Sequence, residues 1–297
     1  MTEPAFTIDV ENRLGEDPIW DDRLGRLWWT DILASRLYHW DWDSRETGFV
    51  ELPERLGSLG LTNDAGTLVC AFETGFALFK PASEKVDWIA RPEQAKRGIR
   101  FNDGRVDRMG RFWAGTMIED EDQAQDSTAS VYRLDPNGSV ERVFDGVGIS
   151  NGICFSPDGE TMYFSDSPIF GMWRFDLGAN GSVANRKPFH LVATGGHPDG
   201  ADVDSEGNIW SAEWGSSRVT CYSPEGAILE TLTVPASQPT CPAFGGPAMD
   251  HMFVTTAREA LPEVTLGGEP HSGKVLAYKT VARGLPAPRF NLEGLSP

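Results

Sequence analysis

The strongest constraint on how this chain can fold is an internal repeat. A polar turn followed by a short apolar strand recurs along its whole length. Asp22-Arg-Leu-Gly25 leads into Arg26-Leu-Trp-Trp-Thr-Asp31, and Asn63-Asp-Ala-Gly66 into Thr67-Leu-Val-Cys-Ala-Phe72. Asp107-Arg-Met-Gly110 leads into Arg111-Phe-Trp-Ala-Gly-Thr116, and Ser156-Pro-Asp-Gly159 into Glu160-Thr-Met-Tyr-Phe-Ser165. A fifth copy is Asp204-Ser-Glu-Gly207 with Asn208 to Glu213. A weaker sixth is Gly246 to Asp250 with His251 to Thr256. Turn residues between apolar runs mark β-hairpins. The copies lie roughly 40 to 50 residues apart, the period of four-stranded propeller blades.

A third strand is legible after each second one, as in Arg36 to Trp40 and Gly171 to Phe175. Fourth strands are fainter, with candidates at Val140 to Phe144 and Ala227 to Leu232. Six such units fill the 297 residues. The fold expected is therefore all-β: one six-bladed β-propeller domain over residues 1–297, without linker or second domain. The Phe6-Thr-Ile-Asp-Val10 run is expected to pair into the last blade, because ring closure removes exposed edges.

Composition narrows the function. The formal charge of −18 repels phosphate backbones and anionic membrane surfaces, so neither nucleic acid nor membrane is an expected partner. The first residues lack the basic and apolar regions of a signal peptide, and no apolar run is long enough to span a bilayer. The four cysteines are widely spaced, without a Cys-x-x-Cys pair, and read as reduced thiols. A cytoplasmic chain is expected. The sequence carries no clear oligomerisation signal.

In a propeller the first strand of each blade lines the central channel, and all six start at one face. Counting back eight residues from the turn glycine reaches Asp199, Asn151, Asn102 and Ser58; counting back nine from Gly25 reaches Glu16. In the sixth copy the place falls near Cys241 or Pro242. Asp199 is expected just before a strand of Gly200 to Val203. Four of six units thus put a carboxylate or amide at one structural position, and the fold would gather them at the channel mouth. Oxygen ligands of this kind suit a hard divalent cation such as Ca²⁺, Mg²⁺ or Mn²⁺. Taken singly, Asn102-Asp-Gly and Pro198-Asp-Gly are ordinary turn sequences. Asp158, in the similar Ser-Pro-Asp-Gly run, falls in the hairpin turn and is assigned to structure.

Second strands end at the same mouth, at Asp31, Glu119, Asp120, Asp166, Glu213 and Thr255. The polar run Glu119 to Asp126 reads as a solvated loop that could overhang the mouth. Arg100, two residues before Asn102, could face the channel and bind substrate oxygens or pair with acids.

At these residues the chain resembles the SMP-30/gluconolactonase, or regucalcin-like, family. The resemblance rests on Leu14-Gly-Glu16-Asp-Pro18, Arg100-Phe-Asn102-Asp-Gly104, Gly115-Thr-Met117, Ser150-Asn-Gly152, Pro198-Asp-Gly200 and Phe244-Gly-Gly246. These motifs span nearly the whole chain in order. The resemblance implies a six-bladed propeller with one divalent metal near its axis, held by Glu16, Asn151 and Asp199. It implies substrate contacts at Arg100, Asn102 and Asp120, and hydrolysis of sugar-acid lactones. Family members use Ca²⁺, Zn²⁺, Mn²⁺, Mg²⁺ or Fe²⁺. Leu-Gly-Glu-Asp-Pro departs from the commoner Leu-Gly-Glu-Gly-Pro, which keeps the ligand but alters the adjacent turn. Asp199 is the expected general base, with water activated by the metal as its rival. A non-catalytic calcium-binding propeller and a phosphotriesterase-like hydrolase are the alternatives. The particular lactone, the native metal and the oligomeric state are left open.

Overall fold

The computed structural model describes residues 3–124, 127–193 and 195–295. Strands dominate it, arranged in six antiparallel sheets around a central axis as a six-bladed β-propeller. Blade 1 runs through Gly15–Asp21, Arg26–Asp31, Arg36–Asp41 and Thr47–Glu51. The innermost strands of blades 2 to 6 are Leu56–Thr62, Ile99–Val106, Ser150–Phe155, His197–Val203 and Pro239–Gly245. Phe6–Ile8 pairs with Val275–Ala277 as the outermost strand of blade 6, so an N-terminal strand completes the last blade and closes the ring. A parallel pairing of Arg289–Phe290 with Leu61–Thr62 adds a fifth strand to blade 2.

Burial follows distance from the axis. Leu56–Thr62 is buried at every position, whereas the outermost Thr47–Glu51 alternates between exposed and half-buried. Between neighbouring blades lie apolar layers. In one of them Trp20 of blade 1 stacks on Phe253 of blade 6 at 6.0 Å.

The turn residues repeat their chemistry as well as their spacing. Asp107 accepts from the backbone N–H of Met109 and Arg111 and from the indole of Trp113. Asp204 repeats this with Glu206, Asn208 and Trp210. Asp158 accepts from Ser156 Oγ and the Glu160 N–H, a structural role in its turn. All four cysteines are unpaired and buried. Among the described residues, no helix is long and apolar enough to cross a membrane.

Every innermost strand carries a register irregularity near its start: between Glu16 and Ile19, Leu56 and Ser58, Phe101 and Gly104, Asn151 and Cys154, Pro198 and Ala201, and Pro239 and Pro242. Such bulges bend a strand and re-aim its side chains. They also correct one expectation: Asp199 lies inside its strand, His197–Val203, at the bulge, and not ahead of it.

Deeper in the channel, carboxylates fasten the blades in pairs. Asp17 accepts from the Leu59 N–H at 2.6 Å, Asp103 from Ile153 N–H at 2.6 Å and Asp202 from Phe244 N–H at 2.9 Å. These bonds tie blade 1 to 2, 3 to 4 and 5 to 6. Among them sits the buried Arg105 of blade 3. It donates to Pro18 O and Ala201 O and approaches Asp17 Oδ1 at 3.8 Å. Leu285, Ala287 and Pro288 line a cavity of about 40 Å³ at that end of the channel with Arg105 and Asp202. The opposite mouth is where the first strands begin.

Removing one partner from a buried charge cluster leaves the others uncompensated, at a cost of about 3–5 kcal/mol. Arg105→Met should therefore lower the urea midpoint of unfolding by that equivalent, with an unchanged slope. An unaltered midpoint would show that the guanidinium is not holding the blades.

Candidate active site

Glu16, Arg100, Asn102, Asn151 and Asp199 line one cavity of about 340 Å³ at the open mouth. They come from blades 1, 3, 4 and 5, and each sits at or beside a bulge. Leu14, Met117, Ile149, Pro168 and Trp214 form the apolar walls. The other two innermost strands bring only Ser58 and Cys241, both fully buried and outside the cavity lining.

A chain of hydrogen bonds fixes how the amides point. Arginine can only donate. Arg100 Nη1 donates to Asn102 Oδ1 at 2.8 Å, so Asn102 turns its Nδ2 away, donating to Ser150 O and to Asn151 Oδ1 at 3.0 Å. Asn151 Nδ2 then donates to Ser167 Oγ at 2.9 Å, and Ser167 Oγ donates its one proton to Pro198 O at 2.7 Å. The orientation set by Arg100 thereby leaves Asn151 Oδ1 as the amide's acceptor, with one lone pair uncommitted.

The two carboxylates are placed differently. Glu16 accepts from the Asp17 N–H at 2.9 Å, and neither Glu16 nor Asp199 has a salt-bridge partner among the described residues. Burial, with Asp103 second, pushes the Glu16 carboxyl up to about 8. Burial, with Glu16 second, holds Asp199 well above the usual carboxylate range. Two buried acids in one cavity, both held above the usual carboxylate range, favour a nearby positive charge. Among the described residues, no three His, Cys, Asp or Glu side chains group to hold a metal. The set here is two carboxylates and an amide.

Arg100 is buried, and Glu119 steadies it: Nε donates to Glu119 Oε1 at 3.0 Å. Arg55 donates to the same oxygen at 2.7 Å and to both oxygens of Glu73. The structure puts Asp120 elsewhere. Its carboxylate accepts from the Gln123 N–H and side-chain amide, over the short helix Glu121–Ala124, and it is outside the cavity lining. Gln125 and Asp126, the end of the expected acidic loop, lie outside the described residues.

Two of the other rim acids serve the fold. Asp31 accepts from the Arg13 and Leu14 N–H groups, and Asp166 from those of Gly148 and Ile149, so each fastens the chain as it enters a first strand.

Three polar cavity residues escaped the reading of the sequence as parts of the site: Ser167, which ends the hydrogen-bond chain above, His197 and Glu259. His197 stacks on Phe170 at 4.5 Å, and its Nδ1 faces Ser167 O at 3.0 Å. A carbonyl only accepts, so Nδ1 carries the proton and Nε2 of the neutral ring is a bare acceptor. Its proximity to Pro198-Asp199 was the available signal. Glu259 follows the second strand of blade 6, whose repeat is the faintest, and no sequence signal singled it out.

Comparison with known proteins places the chain. The SMP-30/Gluconolactonase/LRE-like region matches residues 14–258. This chain belongs to that family. It is 36% identical over 279 residues to a 6-deoxy-6-sulfogluconolactonase of Pseudomonas putida, covering 93% of this chain and 94% of that one. It is 36% identical over 290 residues to an L-arabinolactonase of Azospirillum brasilense, covering 97% and 95%. A solved structure of regucalcin, a calcium-binding protein of Agrobacterium tumefaciens, superimposes with a TM-score of 0.90 at 31% identity, covering 97% and 98%.

The geometry separates Glu119 from Asp120. In Glu119→Gln the Arg100 Nε–H should exchange about tenfold faster, since a charge-assisted bond becomes a neutral one. Asp120→Asn should leave it unchanged. Side-chain NMR of the guanidinium reads both, and equal effects would contradict the placement.

Proposed function

We propose that this protein hydrolyses sugar-acid lactones with the help of one divalent cation, and that Glu16, Asn151 and Asp199 hold that cation. The observation that carries the reading is the pair of buried carboxylates without a salt-bridge partner among the described residues, in one cavity with an amide whose oxygen is oriented by Arg100. An isolated buried carboxylate is costly, and two together more so. All three donors are hard oxygens, matching Ca²⁺, Mg²⁺ or Mn²⁺, with Zn²⁺ and Fe²⁺ also accepted by such sets. Few protein ligands leave room for substrate in the cavity. The named activities of the two lactonase relatives support the substrate class.

When bound, the cation supplies Lewis acidity for the negative charge that develops on the carbonyl oxygen. Asp199 acts as general base, taking a proton from the water whose oxygen bonds to the carbonyl carbon. The ring C–O bond then breaks, and the departing ring oxygen takes up a proton to become the free hydroxyl of the aldonic acid. Arg100 and Asn102 orient the sugar oxygens; this reading gives Asp120, which does not line the cavity, no part in that. The bare His197 Nε2 accepts from a sugar hydroxyl. Leu14, Met117, Ile149 and Trp214 cover the apolar faces and limit water. The four unpaired thiols are in keeping with a reducing compartment, the cytoplasm.

A non-catalytic calcium-binding propeller would use the same ligands, and one similar solved structure is described as a calcium-binding protein. The cavity of about 340 Å³ with Arg100 and Asn102 in its wall favours the enzyme.

Metal-stripped protein should be inactive on a panel of aldono-1,4- and 1,5-lactones and recover with a single divalent metal. Glu16→Gln and Asp199→Asn should lose cation binding and at least about 100-fold in kcat/KM together. Calorimetric titration and proton release measure the two losses. Full metal-dependent turnover in either variant would refute the assignment. Ser167→Ala should weaken cation binding about tenfold, because the Asn151 amide loses its anchor.

A further inference from the structure

The cavity wall contains one acid that the hydrolysis leaves unused. Glu259 sits on a turn clamped from both sides. Ala257 N–H donates to Gln238 O, Arg258 N–H to Arg13 O and Leu261 N–H to Arg258 O, while Ala260 closes the turn in the left-handed region at φ 55°. The Glu259 side chain lines the cavity, half-buried, with no hydrogen bond or ion pair among the described residues.

Its charge has no direct partner among the described residues: Arg100, Arg13 and Arg55 act on it without a hydrogen bond or ion pair. Among the described residues Arg100 is the one Lys or Arg in the lining, and it is already paired with Glu119. Glu16 and Asp199 are matched by the proposed dication. Burial raises the Glu259 carboxyl above the usual range, Arg100, Arg13 and Arg55 oppose the rise and Glu119 adds to it; Glu259 lines the same cavity as Asp199, so its charge faces the space a substrate would fill.

We propose that Glu259 is a specificity residue that selects neutral sugar lactones and rejects those carrying a second, anionic group such as a carboxylate or sulfonate. The inference rests on the lactonase reading above. An unpaired charge set against an alternative substrate is a common source of discrimination, because like charges brought together at a partly desolvated site repel strongly. A substrate anion has no free cation in the lining to meet, since Arg100 is committed, and it meets Glu259 instead. The surrounding surface, at a net charge of −18 for the chain, adds to the same bias.

The test compares D-glucono-1,4-lactone with D-glucaro-1,4-lactone, which carries a carboxylate on the far carbon. The metal-loaded wild type, Glu259→Gln and Glu259→Lys are assayed at low and high NaCl. The wild type should prefer the neutral lactone by at least about tenfold in kcat/KM. That ratio should fall by about tenfold in Glu259→Gln and invert in Glu259→Lys. Added salt should narrow the wild-type ratio, as screening requires. A ratio unchanged by both substitutions, or a wild type that accepts the two lactones equally, overturns the inference while the lactonase reading stands. If the wild type hydrolyses neither these nor any other neutral lactone, the lactonase reading itself fails and takes the inference with it.

Discussion

One guanidinium reaches across the axis of this molecule. Arg105 starts on blade 3 and touches blade 1 at Pro18 O and Asp17 and blade 5 at Ala201 O. It sits among three carboxylates that each grip the backbone of the next blade. A ring of blades held by apolar layers alone fixes spacing well and rotation poorly. Directional bonds at the axis fix the rotation too. Two of these carboxylates lie in the bulges themselves, so the site residues one step earlier on the same strands are held in place by the same fastening. Asp17 adjoins Glu16, and Asp103 adjoins Asn102. The site is therefore a consequence of how the ring is pinned.

The site's own order comes from a second donor-only group. Arg100 fixes Asn102, Asn102 fixes Asn151, and Ser167 ends the series at a carbonyl. Each amide could be turned the other way only by facing donor against donor. An oriented amide oxygen in one cavity with two buried carboxylates suits a cation. Glu119 stands one link further out and sets Arg100.

Much of this was legible in the residues. The turn glycines gave the repeat, the repeat gave the blades, and the common offset picked out Glu16, Asn102, Asn151 and Asp199. Fourth strands such as Thr47–Glu51 and Lys85–Ala90 were not legible, because an edge strand buries little and so carries no apolar run. The bulges were invisible too: a two-for-one register shift leaves no mark in composition, and it drew Asp199 into its strand. Asp120 was assigned to the site by resemblance alone. Its neighbour points at Arg100, while Asp120 bends over a short helix, a one-residue difference that only the backbone decides. Glu259 belongs to a connection between strands, where position in sequence says nothing of position around the mouth.

The central claim is that Glu16, Asn151 and Asp199 form one cation site above the pinned axis. Its most direct test is a crystal of the protein soaked with Mn²⁺ and measured for anomalous scattering. The account predicts one strong peak at the channel mouth, within about 2.0–2.6 Å of oxygens from all three side chains. A peak elsewhere, or none in crystals of protein whose lactone hydrolysis depends on Mn²⁺, would contradict it.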